Sequence, residues 1–551
     1  MRKADVIVVG AGAAGAIVAS RLAEETGCRV LLLEAGGRSR PLIHSVPLLT
    51  GVLANSNFGV WRDWTEPDAG LAGRSLAWPR GRVLGGSTSI NGMVWMRGRP
   101  SDYERWASAG AKGWGWANVR PAMEAIENGT GPLGRRIIVN KHGGTNPLFD
   151  AFLEAGRQAG LPVAEDFNAG PQEGVGRFSV SIDKGRRIST AAAFLSRPPR
   201  NLEIVTNAVA IGISFAGSRA RSVTAKVGGS LAEFFADEIV LCCGAVNSPK
   251  LLMLSGIGDA DKLRPLGIEV KQHLPGVGEN LQDHISARLS WECKEPITLL
   301  SFSRADRAAL GVLRTWIVGS GTAAWTPWAT GFLLRSSGSE PEPDLEGLFL
   351  PGLSTYQLWM PLVRPAPAGH GFMASVYQLR PESRGKITLR SADASEGPRI
   401  AANYLAAERD RTVLREGVKL MQDLIERPAF DPYRGRQLTP EPAKGDAALD
   451  AAIAKVAGTA FHPIGTCKMG SADDPMSVVS PELRVHGIDN LRIADASVMP
   501  LMTSGNTNAP AMMIGYRCAD FVRDGRATAD GRPRPVETAS MRQERPASTT
   551  P

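Results

Sequence analysis

Three glycines near the N-terminus and one histidine near the C-terminus are the residues whose types and spacing suggest chemistry. Gly10, Gly12 and Gly15 form a G-x-G-x-x-G motif, with Ala13 and Ala14 inside it. The motif lies between the β-branched run ADVIVVG (residues 4–10) and a stretch with helical spacing. The first glycine permits a tight turn, and the second admits a pyrophosphate to the backbone. The third lets helix and strand pack closely, while the helix N-terminus attracts negative charge. CRVLLLEAGG (28–37) reads as a second strand closed by Glu34, which sits 24 residues after Gly10. A carboxylate there binds both ribose hydroxyls of an adenosine and disfavours a 2′-phosphate. Strand, helix, strand and terminal acid in this order predict a dinucleotide site without saying which dinucleotide. TAFHPIGTCKMG (459–470) holds His462, one of only seven histidines. An imidazole that titrates near neutrality is a natural proton acceptor. Taken alone, it reads equally well as a buried histidine bonded to backbone.

The elements that must hold these residues follow from periodicity. The glycine-dense region 72–98 reads as loop and helix N-terminus. Residues 202–243 read as β structure, followed by a helix at SPKLLMLSG (248–256). Residues 290–450 alternate strands with a long helix near 403–427, and a glycine-rich style returns from 455. The Pro/Arg/Ser/Thr-rich segment 523–551 is expected to be disordered. A chain of 551 residues suggests two domains or more, and 43% hydrophobic with 21% charged residues is a soluble globular composition. The net charge of +8 is partly a tail property, since residues 526–551 hold five arginines and three acids. Basic residues form no stripe with interleaved aromatics, which argues against a nucleic-acid partner. Six scattered cysteines without a CxxC pair suggest neither a disulfide framework nor a metal site, and reduced thiols fit a cytoplasmic protein. A first strand starting so near Met1 leaves no room for a signal peptide. No apolar run reaches the ~18 residues of a transmembrane segment. Peripheral membrane association stays open.

GRVLGGSTSINGMVWMRG (81–98) resembles the first signature of the glucose-methanol-choline (GMC) oxidoreductases, and GAVNSPKLLMLSGIG (244–258) resembles the second. PGVGENLQDH (275–284), FHPIGTCKMG (461–470) and RIADASVMPLMTSGNTNAPAMMIGYRCAD (492–520) are further matches, in family order. The resemblance implies FAD as cofactor and an α/β fold. A Rossmann-like domain with a doubly wound parallel sheet would comprise residues 1–155, 200–290 and 455–522. An α+β substrate-binding domain built on an antiparallel sheet would comprise 156–199 and 291–454.

It further implies FAD contacts from the glycine motif, Glu34 and Ala35, and from Arg82, Val83, Gly86 and Ser87. Asn91, Gly92, Met93 and Val94 would run beside the isoalloxazine, Val209 would meet the adenine side, and Asp495 and Ala496 would close over the ribityl and pyrophosphate. Asn508 and Pro510 would shape the flavin-facing turn. Some members attach FAD through a histidine where this chain has Ile90, so non-covalent FAD is expected. His462 would be the catalytic base and Asn506 would donate a hydrogen bond to the substrate oxygen.

His284, although in a matched block, is expected to support structure, as are His44, His142, His273, His370 and His486. Trp325, Trp328, Tyr356 and Trp359 would wall a pocket for an aromatic primary alcohol or else serve as core. The acidic run SEPEPDLEG (339–347) reads as a solvated loop. Choline oxidation and cyanohydrin cleavage are the alternative activities. The electron acceptor would be O2, a quinone or an electron-transfer protein, and the enzyme a monomer or homodimer in a bacterial cytoplasm.

Overall fold

The computed structural model describes residues 3–129, 134–141, 144–170, 172–354, 357–364 and 369–529. Two sheets organise them. In the first, the strands Ser230–Leu241, Lys3–Val9, Val30–Leu33 and Leu202–Val205 lie side by side and parallel. Leu491–Ile493 adds a further parallel strand on Ser230–Leu241, and the hairpin Ala208–Ala216/Arg219–Val227 extends the same edge antiparallel. Val6, Ile7, Val8 and Leu32 are fully buried, as expected where helices cover both faces of a parallel sheet. The helix Gly15–Thr26 leaves the first strand at the glycine motif and packs against the long helix Asn508–Ala529. Their close approach needs Gly515, where a Cβ would sit 2.6 Å from the Ala14 carbonyl oxygen.

The second sheet has eight strands. Its central order is Arg434–Thr439, Ile285–Cys293, Gly371–Gln378, Leu345–Leu350, Thr330–Leu334 and Gly174–Arg177, all antiparallel. Val163–Ala164 joins one edge in parallel, and the short strand Gly458–Thr459 pairs with the start of Ile285–Cys293. The amphipathic helix Glu408–Glu426 covers one face, with Gly417 giving room to Leu345 and Val376. The opposite face carries Ser286, Leu348, Ser375 and Tyr377 and turns toward a large cavity shared with the first sheet.

Several boundaries differ from expectation. The long helix starts at Glu408 rather than 403 because Asn403 and Leu405 adopt positive φ and cannot continue a helix. The 72–98 region contains a strand, Ala77–Gly81, paired with Val60–Trp64. The strand Ile285–Cys293 belongs wholly to the antiparallel sheet, so that unit starts near 285 instead of 291. The helix Pro147–Gln158, placed by sequence mostly with the first unit, packs on the second sheet, while Thr190–Phe194 packs on the glycine-motif helix. The tail does not start at 523. The last helix runs to Ala529, held by Arg523 pairing with Glu25 at 3.2 Å and Asp520 at 3.0 Å. Residues 530–551 and His142 lie outside the described residues. No helix among the described residues is long and apolar enough to cross a membrane.

Candidate active site

A cavity of about 1980 Å³ runs from the glycine motif to His462 and Asn506. At its nucleotide end Gly10 takes φ +101°, and a Cβ on it would lie 2.5 Å from the Cys242 carbonyl oxygen. On Gly15 a Cβ would lie 1.9 Å from the Gly10 carbonyl oxygen, so the third glycine serves packing. Gly12 differs: a Cβ there would meet nothing within 4 Å and would project into the cavity. That free backbone edge fits the approach of a pyrophosphate. Glu34 lines the cavity and accepts hydrogen bonds from the Ala11 and Gly36 amides at 2.9 and 2.7 Å. Burial lifts its carboxyl to about 7, partly opposed by those two amides. Asp495 accepts from the Gly244 amide at 2.9 Å and the Ser248 hydroxyl at 2.6 Å, and its other oxygen caps Ser497. It therefore ties the second signature to the C-terminal block while facing the cavity.

Of the residues expected at the cofactor, Gly10, Gly12, Ala13, Ala14, Glu34, Ala35, Arg82, Gly86, Ser87, Asn91 to Val94, Val209, Asp495, Ala496 and Asn508 line this cavity. Gly15, Val83 and Pro510 do not. Val83 is 2% exposed and sits beneath the loop, and Pro510 lies within the last helix. Ile90 is buried against Leu53 and Val60. The Asn91–Val94 segment is held from behind by Arg187, a residue that the sequence did not single out. Its guanidinium donates to the Asn91 carbonyl at 2.6 Å, the Asn91 Oδ1 at 2.7 Å and the Thr50 hydroxyl at 2.7 Å. Burial lowers its pKa to about 9.

The far end holds a relay of three side chains. His462 is 9% exposed and its Nε2 lies 3.0 Å from Asn506 Nδ2. Its Nδ1 lies 2.9 Å from Nδ1 of His284, whose Nε2 lies 2.9 Å from the Leu379 carbonyl oxygen. A carbonyl only accepts, so His284 Nε2 carries a hydrogen. Burial lowers the His284 pKa to about 4, and burial with neighbouring His284 lowers that of His462 well below 6.5. Neutral His284 therefore accepts at Nδ1, His462 donates from Nδ1, and His462 Nε2 is unprotonated on the cavity side. Asn506 Nδ2 donates to the Nε2 lone pair, and the buried Asn506 Oδ1 has no partner among the described residues. His284 is thus no mere framework residue: it selects the tautomer of His462.

The surrounding loops are braced by the 275–284 block. Asp283 Oδ1 accepts from the His462 amide at 2.7 Å, and its Oδ2 accepts from Thr459 and Tyr404. Burial raises its carboxyl to about 6 against those bonds. Gln282 donates to the Pro500 carbonyl at 3.1 Å and accepts from the Met502 amide at 3.1 Å, fixing the approach to Asn506. Tyr377 stacks on His284 with ring centroids 5.0 Å apart and meets His462 edge-on at 5.9 Å.

The aromatic wall is narrower than expected. Trp328 lines the cavity against Gly92, but Trp325 packs edge-on Phe149 in the core, and Trp359 lies off the cavity. Tyr356 lies outside the described residues. The 339–347 run is not a solvated loop. Glu342 receives Ser101 and Arg105 at 2.6 and 2.7 Å, Asp344 binds Ser336, and Glu346 is fully buried in a strand.

The comparisons agree with this geometry. Residues 4–286 and 381–515 match the N- and C-terminal models of the GMC oxidoreductases. The chain is 39% identical over 534 residues to an oxygen-dependent choline dehydrogenase of Photobacterium profundum, covering 94% of this chain and 92% of that protein. It is 40% identical over 534 residues to one of Brucella anthropi, covering 94% and 95%. Among solved structures, pyridoxine 4-oxidase from Mesorbium loti superposes with a TM-score of 0.82 at 32% identity, covering 94% of this chain and 98% of that one. Formate oxidase superposes with a TM-score of 0.86 at 26% identity, covering 96% and 99%. With a cavity that fits a dinucleotide and a histidine at its far end, the chain belongs to the GMC oxidoreductases, as an FAD-dependent alcohol oxidoreductase.

Proposed function

We propose that this enzyme oxidises a primary alcohol to its aldehyde, with His462 Nε2 taking the hydroxyl proton. The observation that carries the reading is the relay Leu379 carbonyl–His284–His462–Asn506, which leaves one unprotonated ring nitrogen facing the cavity. Bound FAD supplies the hydride acceptor. The chain supplies the rest: the substrate hydroxyl displaces Asn506 Nδ2 from His462 Nε2, which receives the proton, and Asn506 Nδ2 then donates to the substrate oxygen and orients it. Holding the alcohol against a preset base removes much of the orientational cost. Asn506 Oδ1 lacks a protein partner and is free to accept from substrate or water. The cofactor contacts are the cavity-lining residues named above, with Glu34 toward the ribose and Gly12 toward the pyrophosphate.

FAD is held without a covalent bond in this reading, because Ile90 offers no nucleophile where a linking histidine would stand. Acid denaturation should therefore leave the yellow colour in the supernatant, and colour in the pellet would contradict it. The choline dehydrogenase relatives favour choline as a second candidate substrate. Anaerobic mixing with simple aliphatic alcohols, benzyl alcohols and choline tests the reaction class. Bleaching of the flavin is expected with at least one alcohol. Cyanohydrin cleavage without bleaching would overturn it.

A further inference from the structure

The substrate side of the cavity carries positive charge that no group among the described residues neutralises. His284, Ser286 and Arg288 alternate along the strand Ile285–Cys293 and the residue before it, so their side chains share one face. His284 is in the relay; Ser286 pairs across the sheet with Tyr377, and Arg288 with Ser375. Ser286, Arg288, Ser375 and Tyr377 all line the cavity. The Arg288 guanidinium makes no hydrogen bond and no ion pair with any described residue. Room for it comes from Gly458, where a Cβ would lie 2.9 Å from Nη2. Arg74, its charged neighbour, is also cationic and already donates to the Ala454 and Ala457 carbonyls.

The other charges on the cavity wall sort by end. Glu34 and Asp495 stand at the nucleotide, and Asp63 and Asp393 cluster with Arg80 and Lys250 beside the helix Gly244–Leu254. The substrate side has Arg288, with Arg307 and Arg364 farther out, and no lining carboxylate among the described residues. Glu346 pairs with Tyr377 on the same face of the sheet but is fully buried and off the cavity lining, and burial raises its carboxyl to about 8, which favours the uncharged form near neutrality. A part-buried guanidinium without a partner among the described residues leaves its donors to water or to a ligand's acceptor. A quaternary ammonium would meet repulsion there.

We infer that Arg288 receives a carboxylate on the substrate, so that the enzyme's alcohols are hydroxy acids whose CH2OH group reaches His462 while the acid end is held at the sheet. This deepens the alcohol oxidation proposed above and rests on it. The planar fork of an arginine matches a carboxylate in bidentate fashion. Four residues of strand separate the His284 and Arg288 backbones by about 13 Å, and both side chains shorten that gap. A ring or a short chain between alcohol and acid would span it, alongside Leu348 and Trp328.

The test uses the FAD-loaded enzyme with 4-(hydroxymethyl)benzoate and 6-hydroxyhexanoate, each against its own primary amide, and with choline. At least one acid should exceed its amide in kcat/KM for anaerobic flavin reduction by about tenfold or more, the order of a charge-assisted hydrogen bond. In Arg288→Gln that ratio should fall toward one, and in Arg288→Lys it should be partly kept. A binding readout without turnover is the flavin spectral shift on titrating 4-methylbenzoate against 4-methylbenzamide. The acid should bind more tightly to wild type, and the difference should vanish in Arg288→Gln. Equal ratios for acid and amide in wild type, or a preference that survives Arg288→Gln, would overturn the inference while leaving alcohol oxidation standing. No bleaching by any alcohol would remove the underlying reading, and this inference with it.

Discussion

At His462 two effects act on the same imidazole. Burial and the adjacent His284 both disfavour its protonated form, so it stays neutral below the ordinary 6.5. Because the neutral ring is the proposed base, the acid limb of the kcat/KM profile should lie below that value, and a limb near or above it would contradict the assignment. His462→Ala should lower turnover by about two to four orders of magnitude with FAD still bound. Asn506→Ala should be milder, because it removes orientation and leaves the base. The His284 relay makes a sharper prediction. His284→Ala frees the His462 tautomer and should lower kcat by about tenfold or more, as loss of a second partner that orients an imidazole does. His284→Asn, whose Oδ1 can accept from His462 Nδ1, should recover part of the loss. A purely packing role would not separate these two variants.

At the scale of elements, the decisive part is the 275–284 block and the strand that follows it. Asp283, Gln282 and His284 tie the His462 loop, the Met502 loop and the Leu379 turn to one edge of the antiparallel sheet. Two strands across, Leu345–Leu350 carries the buried acid Glu346, neither of whose oxygens has a well-aligned hydrogen-bond partner among the described residues. Burial lifts its pKa from 4.5 to about 8. Such a group contributes full stability below 4.5 and loses it as pH rises toward 8, since folding then opposes ionisation. Glu346→Gln should therefore raise the melting temperature near pH 8 and change it little near pH 4.5. An equal shift at both pH values would show that packing and not ionisation sets the effect.

Local turn chemistry and spacing announce the glycine motif and Glu34 in the sequence, whereas His462 and Asn506 stand out there only through the resemblance to the GMC oxidoreductases. The roles of His284, Arg187, Glu346 and Arg288 were not legible there. His284 and Arg187 act through partners far along the chain, and Glu346 and Arg288 take their surroundings from strands distant in sequence; the fold alone reveals that His284 meets a residue 178 positions away. For Trp325 the sequence left pocket wall and core both open, and its edge-on contact with Phe149 makes it core.

On the whole-molecule scale, the two sheets divide the labour. The parallel sheet presents loops, backbone edges and a helix N-terminus suited to a dinucleotide. The antiparallel sheet presents a face of side chains in which polar and charged groups sit above the covered apolar face. The reacting end lies where they meet, so the His462 loop starts from one sheet at Gly458–Thr459 and the Asn506 loop leads into the last helix over the other. In the proposed mechanism this arrangement places a preset base at the seam between cofactor and substrate. The most direct measurement of that claim is the single-turnover rate of anaerobic flavin reduction by a saturating alcohol, in wild type and in His462→Ala with full FAD occupancy. The account predicts rapid bleaching in wild type and a rate lower by about two orders of magnitude or more in the variant; reduction of the variant at the wild-type rate would contradict it.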